Sequence, residues 1–262
     1  MSETSIAGID SVEPAASFPP RRRVWDVCDL VAGYSLILAV IWSPRLLQRW
    51  LYLAAIAWFA VSVAFTFPGW RTLGFRIRGF WGSVWVVGIA LLIALPATLL
   101  AGDLGTLHHP EGFRGWLRSF GGYAVWSLVQ QFLLQGYFLL RLVRLLPHRH
   151  WAAVVAATIF AAAHLPNPVL TPATLVWGLT ACLVFLRWRN IYPLAMAHAI
   201  FGICIAITVP PHVLHNMRVG LGYLTYRPRT HTHFSQSDHS VSTVAWVIAD
   251  APMRRSARQA LP

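Results

Sequence analysis

The chain has 262 residues, of which 56% are hydrophobic and 11% charged, with a mean hydropathy of +0.55. A soluble domain carries about a quarter charged residues, so this composition excludes an ordinary soluble protein and indicates an all-α, polytopic membrane helix bundle. The net charge of +12 comes from arginines that lie in short groups between long apolar runs, with no lysine. This pattern favours positively charged membrane loops and argues against a nucleic-acid partner.

The apolar runs predict about seven membrane-spanning helices, or eight if a further helix lies within 210–226. At about 20 residues a span, they fall near 24–43, 50–67, 80–101, 120–146, 151–165, 169–186 and 191–209. We expect a disordered tail at 1–23, a membrane-embedded domain at 24–226 and a flexible tail at 227–262. The first span should remain uncleaved, because no small-residue cleavage site follows it.

The arginine groups also orient the predicted spans. Most arginines between spans fall in loops on the side of the N-terminus, so the positive-inside rule places that terminus in the cytoplasm. We therefore expect a multi-pass protein of the plasma membrane, the inner membrane of a bacterium. The arginines after residue 210 oppose this orientation if the number of spans is odd.

Three glutamines interrupt the fourth predicted span at a depth where leucine is expected. Gln131 and Gln135 share one face of an α-helix, while Gln130 lies about 100° round it. Gln130 and Arg141 are three turns apart and should align. Polar side chains in hydrocarbon usually face a partner helix or a cavity, so the glutamines either join helices by hydrogen bonds or line a site.

Two later spans each contain a histidine among small residues. His164 follows three alanines near the end of the fifth predicted span, and His198 lies inside the seventh. A lone histidine is more often a core residue than a catalyst. Two of them together with a glutamine cluster indicate a shared polar site.

These three segments, in this order, resemble the CPBP family, which contains the type II CAAX prenyl proteases and bacteriocin-processing and immunity proteins. The family pattern is Glu-Glu-x-x-x-Arg, then Phe-x-x-x-His, then His-x-x-x-Asn or Asp. The corresponding residues here are Gln130, Gln131 and Gln135, then Phe160 and His164, then His198 and Gly202. The resemblance covers about residues 85–210.

The resemblance implies an intramembrane endopeptidase that hydrolyses a peptide bond of a hydrophobic or membrane-anchored substrate. In the family, a glutamate and a motif histidine activate water, while a histidine and the Asn stabilise the oxyanion. Carried over, the base position is Gln130, its histidine is His164 and the oxyanion position is His198. A carboxamide has no useful basicity, so this mechanism fails at its base. The alternative is an inactive relative that binds a hydrophobic peptide or lipid as a chaperone, immunity or scaffold protein.

No acid lies between Glu111 and Asp238 to replace the missing glutamates. Only Asp26, Asp29, Asp103 or Glu111 could reach the site by folding back, and Asp26 and Asp29 are expected instead to pair with the arginine cluster at 21–23. A small transporter is a third reading, but no acidic relay crosses the membrane.

Two further replacements for the missing motif residues are possible. Zinc bound by three imidazoles would lower the pKa of a bound water to about 7. The candidate ligands are His164, His198 and His215, with His212 close to His215 in the sequence, although the spacing does not require this arrangement. Asn167 and Asn216 are candidate binding residues, and Asn216 is a candidate replacement for the third-motif Asn.

The sequence contains no His-Glu-x-x-His, Gly-x-Gly-Asp or Gly-x-Ser-x-Gly motif, which excludes the protease classes that use them.

Overall fold

The computed structural model describes residues 20–227, and every regular element in that range is a helix. The predicted tails lie almost wholly outside the described residues, although the first helix begins at Pro20, inside the predicted N-terminal tail. The elements are α1 (Pro20–Trp42), α2 (Arg45–Phe65), α3 (Phe80–Ser83), α4 (Trp85–Asp103), α5 (Gly112–Gln131), a π-helical segment (Phe132–Leu139), α6 (Leu140–Leu145), α7 (Arg149–Ala162), α8 (Leu170–Trp188), α9 (Tyr192–Thr208), α10 (Pro211–Leu214) and α11 (Gly220–Leu224).

All seven predicted spans are helical in the structure. The third consists of α3 and α4, and the fourth consists of α5, the π-helical segment and α6, starting earlier than predicted. Within residues 20–227, four stretches are long and apolar enough to cross a membrane, namely Arg22–Trp42, Arg45–Phe65, Phe80–Asp103 and Leu170–Trp188. The chain is therefore an integral membrane protein, and the total of seven spans stays a prediction. Helices α10 and α11 have four and five residues, too few to provide an eighth span.

Small residues allow α7 and α8 to pack closely. Ala153, Ala156 and Ala157 on α7 are fully or almost fully buried. A Cβ added to Gly178 on α8 would lie 3.4 Å from the Ala157 Cα and 3.2 Å from the Phe160 ring. Without a hydrophobic driving force between helices in lipid, such close packing supplies much of the association energy.

Two ion pairs join α1 to the end of the fourth long helix. Asp29 Oδ2 lies 2.6 Å from Arg141 Nη2, and Asp26 Oδ1 lies 2.6 Å from Arg144 Nη2. The sequence predicted the cluster at 21–23 as the partner of both acids, whereas the ion pairs seen here are with Arg141 and Arg144, on the C-terminal side of the π-helical segment. The sequence did not predict these partners, because more than a hundred residues separate the two members of each pair.

Four arginine-bearing segments meet at one end of the bundle, which we call the arginine end: the start of α1, the loop 66–79, the chain around 141–149 and the turn 187–190. Arg23 donates to the Leu145 carbonyl, Arg141 to the Thr66 hydroxyl and Arg76 to the Trp188 carbonyl. The segments that the sequence places on one side of the membrane therefore lie together.

Candidate active site

A stripe of polar residues, four positions apart, runs along α5 into the π-helical segment. Ser127, Gln131 and Gln135 are fully buried, and Tyr123 precedes them by one helical turn. Gln135 Nε2 donates to Gln131 Oε1 at 3.2 Å. The prediction that these two glutamines share a face is confirmed.

Gln130 lies apart from this chain of hydrogen bonds. Its side chain is half-buried, and it makes no hydrogen bond within residues 20–227. Arg141, by contrast, is 3% exposed and is held by Asp29. The predicted alignment of Gln130 with Arg141 is wrong, because it assumed continuous α-helix and eight π-helical residues with wider turns lie between them.

His198 is the partner of Gln131 across the bundle. Gln131 Nε2 donates to His198 Nδ1 at 3.1 Å, and the Gln131 carbonyl oxygen is occupied by Gln135. Because Nδ1 accepts this bond, the neutral imidazole carries its proton on Nε2. The glutamines thus hold His198 in the tautomer whose Nε2–H is free to donate a hydrogen bond.

His164 has the opposite arrangement. Its Nδ1 donates to the Phe160 carbonyl at 2.7 Å, so its Nε2 is left with a free lone pair. The Phe160 ring centroid lies 4.9 Å from that of His164 and 5.9 Å from that of His198. Both imidazoles therefore pack against the same phenyl ring. The site therefore joins one acceptor nitrogen and one donor nitrogen around a single phenyl ring.

Where the third family motif has Asn or Asp, this chain has Gly202, and the Tyr123 side chain occupies the space beside that glycine. A Cβ added to Gly202 would overlap the Tyr123 hydroxyl and ring, and the Tyr123 ring packs edge-on to His198 with centroids 6.5 Å apart. Sequence reasoning missed Tyr123. The available signal was its four-residue spacing from Ser127 and Gln131 together with a glycine at 202.

The two asparagines have other positions. Asn167 is fully buried, and its amide donates to the carbonyls of Leu214 and Arg218, both at 3.0 Å, while its oxygen accepts from the amides that open α8. Asn216 is exposed and donates to the Tyr226 hydroxyl at 3.3 Å. Neither hydrogen-bonds to the histidine pair, so Asn216 does not take the place of the missing motif Asn.

His215 is likewise engaged elsewhere. Its Nδ1 bonds to the Tyr223 carbonyl at 3.0 Å, and its ring stacks on Tyr223 and Tyr226. Within residues 20–227, no group of three or more His, Cys, Asp or Glu side chains is arranged to hold a metal ion. The described residues therefore do not form the three-histidine zinc site that the sequence left open.

Within residues 20–227, neither His164 nor His198 has a carboxylate among its hydrogen-bond partners. Asp26 and Asp29 are held in ion pairs at the arginine end, and the sequence has no acid between Glu111 and Asp238. Amide groups stand where the resemblance places carboxylates, so the basic groups that the described residues bring to this site are the two imidazoles.

Comparison with known proteins identifies the segment that carries these residues. Residues 111–204, from the start of α5 into α9, match the family described as "Type II CAAX prenyl endopeptidase Rce1-like". No curated protein and no solved structure matches the chain. The matched range contains all three motif segments, including Gln130, His164 and His198. The chain is therefore a membrane protein whose residues 111–204 match the Rce1-like domain model of the type II CAAX prenyl endopeptidase (CPBP) family.

Proposed function

We propose that this protein is an intramembrane endopeptidase in which His164 replaces the family's glutamate as the base. The observation that carries the proposal is the complementary pair of ring nitrogens, a free acceptor on His164 and a donor on His198. The substrate class is a hydrophobic or membrane-anchored peptide, since the pair lies within a bundle of apolar helices.

His164 acts first as a base and then as an acid. Its Nε2 takes a proton from water while the water oxygen forms a bond to the scissile carbonyl carbon. When the C–N bond breaks, the same nitrogen returns the proton to the leaving amine. The hydrogen bond from Nδ1 to the Phe160 carbonyl holds the ring in the tautomer that this cycle requires.

His198 and Tyr123 stabilise the oxyanion that forms on the carbonyl oxygen. The Nε2–H of His198 donates to it, and the Tyr123 hydroxyl beside Gly202 is the second donor, in the place of the motif Asn. A preorganised donor of this kind contributes about 10²–10³ in rate. Gln131 and Gln135 act as positioning residues, because they determine which nitrogen of His198 carries the proton.

A second candidate function is favoured by one observation, the replacement of both motif carboxylates by Gln130 and Gln131. A site with no carboxylate can bind a hydrophobic peptide or lipid without cutting it. In that reading, the protein is a chaperone, immunity or scaffold protein that uses the same helices.

Cleavage of an unfractionated membrane-peptide mixture by detergent-purified protein tests the proposal. New peptide termini are counted by mass spectrometry for the wild type, His164→Ala and His212→Ala. His212 is an exposed histidine on α10 and serves as the matched control. We expect products from the wild type and from His212→Ala, and a loss of at least about a hundredfold for His164→Ala.

The variant Gln130→Glu distinguishes the two functions. Products from Gln130→Glu but none from the wild type would show a protease scaffold that has lost its base, and would support the binding function. Equal activity of the wild type and His164→Ala would overturn the proposed role of His164. Metal content measured on the same samples tests whether zinc takes part.

A further inference from the structure

The loop 66–79 at the arginine end surrounds a cleft of about 320 Å³. Arg71, Arg76 and Arg78 line it together with Ile77. A volume of this size falls at the lower end of the range for small-ligand sites, about 300–1,000 Å³. None of these arginines takes part in the proposed hydrolysis, so the proposed peptidase activity does not account for the cleft.

Contacts with the turn between α8 and α9 hold the loop in place. Asn190 Nδ2 donates to the Arg76 carbonyl at 2.5 Å. The Arg76 side chain donates to the carbonyls of Arg189 and Trp188 at 3.1 and 3.0 Å. Because Arg76 is fixed at both its backbone and its side chain, the cleft exists before any ligand arrives, which lowers the entropic cost of binding.

The cleft concentrates positive charge. Burial, and then the neighbouring charges of Arg78 and Arg71, lower the pKa of Arg76. Burial, and then Arg76 and Arg149, lower the pKa of Arg189 to about 10. Within residues 20–227 the ion pairs of acids go to Arg141 and Arg144, not to these five arginines. The guanidinium groups stay charged at neutral pH and repel one another, so an anion among them would be stabilising.

The chemistry of arginine indicates which anion suits the cleft. Arg71 and Arg78 line it and are exposed, so their guanidinium groups are accessible to a ligand. A guanidinium group presents its donors in a planar fork that binds phosphate oxygens in a bidentate geometry.

The surroundings of the cleft are those of a membrane boundary. Trp70 in the loop and Trp81 just after it are largely exposed, and so is Ile77 in the cleft itself. Exposed tryptophans of this kind are typical of the headgroup level of a bilayer. A ligand reaching the cleft from the bilayer would therefore present its headgroup.

We propose that the cleft formed by Arg71, Arg76 and Arg78 binds a phosphate anion, supplied by the headgroup of an anionic membrane lipid. The shared chemistry is a phosphate monoester or diester, and a free phosphate ion is the other source to be distinguished. Net negative charge on the headgroup is required, because two or more uncompensated guanidinium groups face it. This site is independent of the histidine pair.

The test is equilibrium binding to the detergent-purified full chain. The probes are short-chain phosphatidylglycerol, phosphatidylcholine with the same acyl chains, and inorganic phosphate. The variant Arg71→Gln/Arg78→Gln removes two exposed charges from the cleft and leaves Arg76 to hold the loop. The matched control is Arg114→Gln/Arg118→Gln, two exposed arginines at the start of α5, remote from the arginine end.

We expect phosphatidylglycerol to bind the wild type and the control equally and the cleft variant about tenfold more weakly. Phosphatidylcholine should bind more weakly to all three, since choline cancels its charge. If inorganic phosphate binds as tightly as phosphatidylglycerol with the same dependence on Arg71 and Arg78, the site takes its phosphate from solution and the lipid source is overturned. Equal binding by the wild type and the cleft variant, or equal losses in the variant and the control, would overturn the site itself.

Discussion

Gln131 is the residue at which the hydrogen bonds of the site converge. Its amide donates to His198 and its carbonyl accepts from Gln135. Gln131→Leu would leave both neighbours buried without a partner, and we expect a loss of about 1–3 kcal/mol of stability. Gln130→Leu is the matched control, since Gln130 is half-buried and its expected change is within about 0.5 kcal/mol. Denaturation with SDS in mixed micelles measures both, and equal losses would contradict the hydrogen-bonded chain.

Tyr123 and Gly202 are expected to be energetically coupled. A methyl group at position 202 overlaps the tyrosine ring, so Gly202→Ala should cost about 1–3 kcal/mol through overpacking. Tyr123→Ala removes the obstacle, and in its background Gly202→Ala should cost little. The two single variants and the double variant form a thermodynamic cycle, measured by the same denaturation. Additive effects would show that the two positions do not meet.

At this scale, the sequence predicted the polar residues better than their partners. Glutamines and histidines inside apolar spans stand out, because each is costly there, and Gln131, His164 and His198 do lie together. Tyr123 did not stand out, since tyrosine is common in such helices and its role depends on how α5 packs against α9. The resemblance gave the base position to Gln130, yet the residue bonded to a histidine is Gln131.

At the scale of elements, the π-helical segment separates two polar groups on one continuous helix. Before it, Gln131 faces His198, and after it, Arg141 faces Asp29 and Ser62 on α1 and α2. No feature of the sequence 132–139 predicted the wider turns, because its apolar residues are compatible with either helix. For this reason the sequence predicted the helix but not the direction in which the Arg141 side chain points.

Removing only one partner of the Asp29–Arg141 ion pair is expected to destabilise the protein more than removing both. Arg141→Met leaves the Asp29 carboxylate, whose side chain is only 14% exposed, without its cation and should cost up to about 3–5 kcal/mol. The double variant Asp29→Leu/Arg141→Met removes both charges and should recover most of that loss. Thermal unfolding in detergent, followed by tryptophan fluorescence, measures both. A double variant that is as unstable as Arg141→Met would contradict this account.

At the scale of the whole molecule, composition and periodicity predicted the helix bundle, because hydrocarbon requires backbone hydrogen bonds to be satisfied within each segment. All seven predicted segments are helices, and the arginine-bearing segments converge at one end. Closure of that end depends on contacts such as Arg76 with Trp188, which join residues more than a hundred positions apart. Sequence periodicity carries no information about such pairings.

The orientation of the bundle in the membrane can be tested by labelling cysteines from one side. Residues 114 and 141 lie about 40 Å apart along one helix at 1.5 Å per residue, enough to place them on opposite sides of a bilayer. If the arginine end is cytoplasmic, Arg114→Cys should react with a membrane-impermeant maleimide in intact cells, and Arg78→Cys only after lysis. Both changes are made with Cys28→Ser, because Cys28 is exposed while Cys182 and Cys204 are buried, and Cys28→Ser alone is the control. The reverse pattern would place the arginine end outside, and labelling of both sites in intact cells would contradict the alternation of the helices.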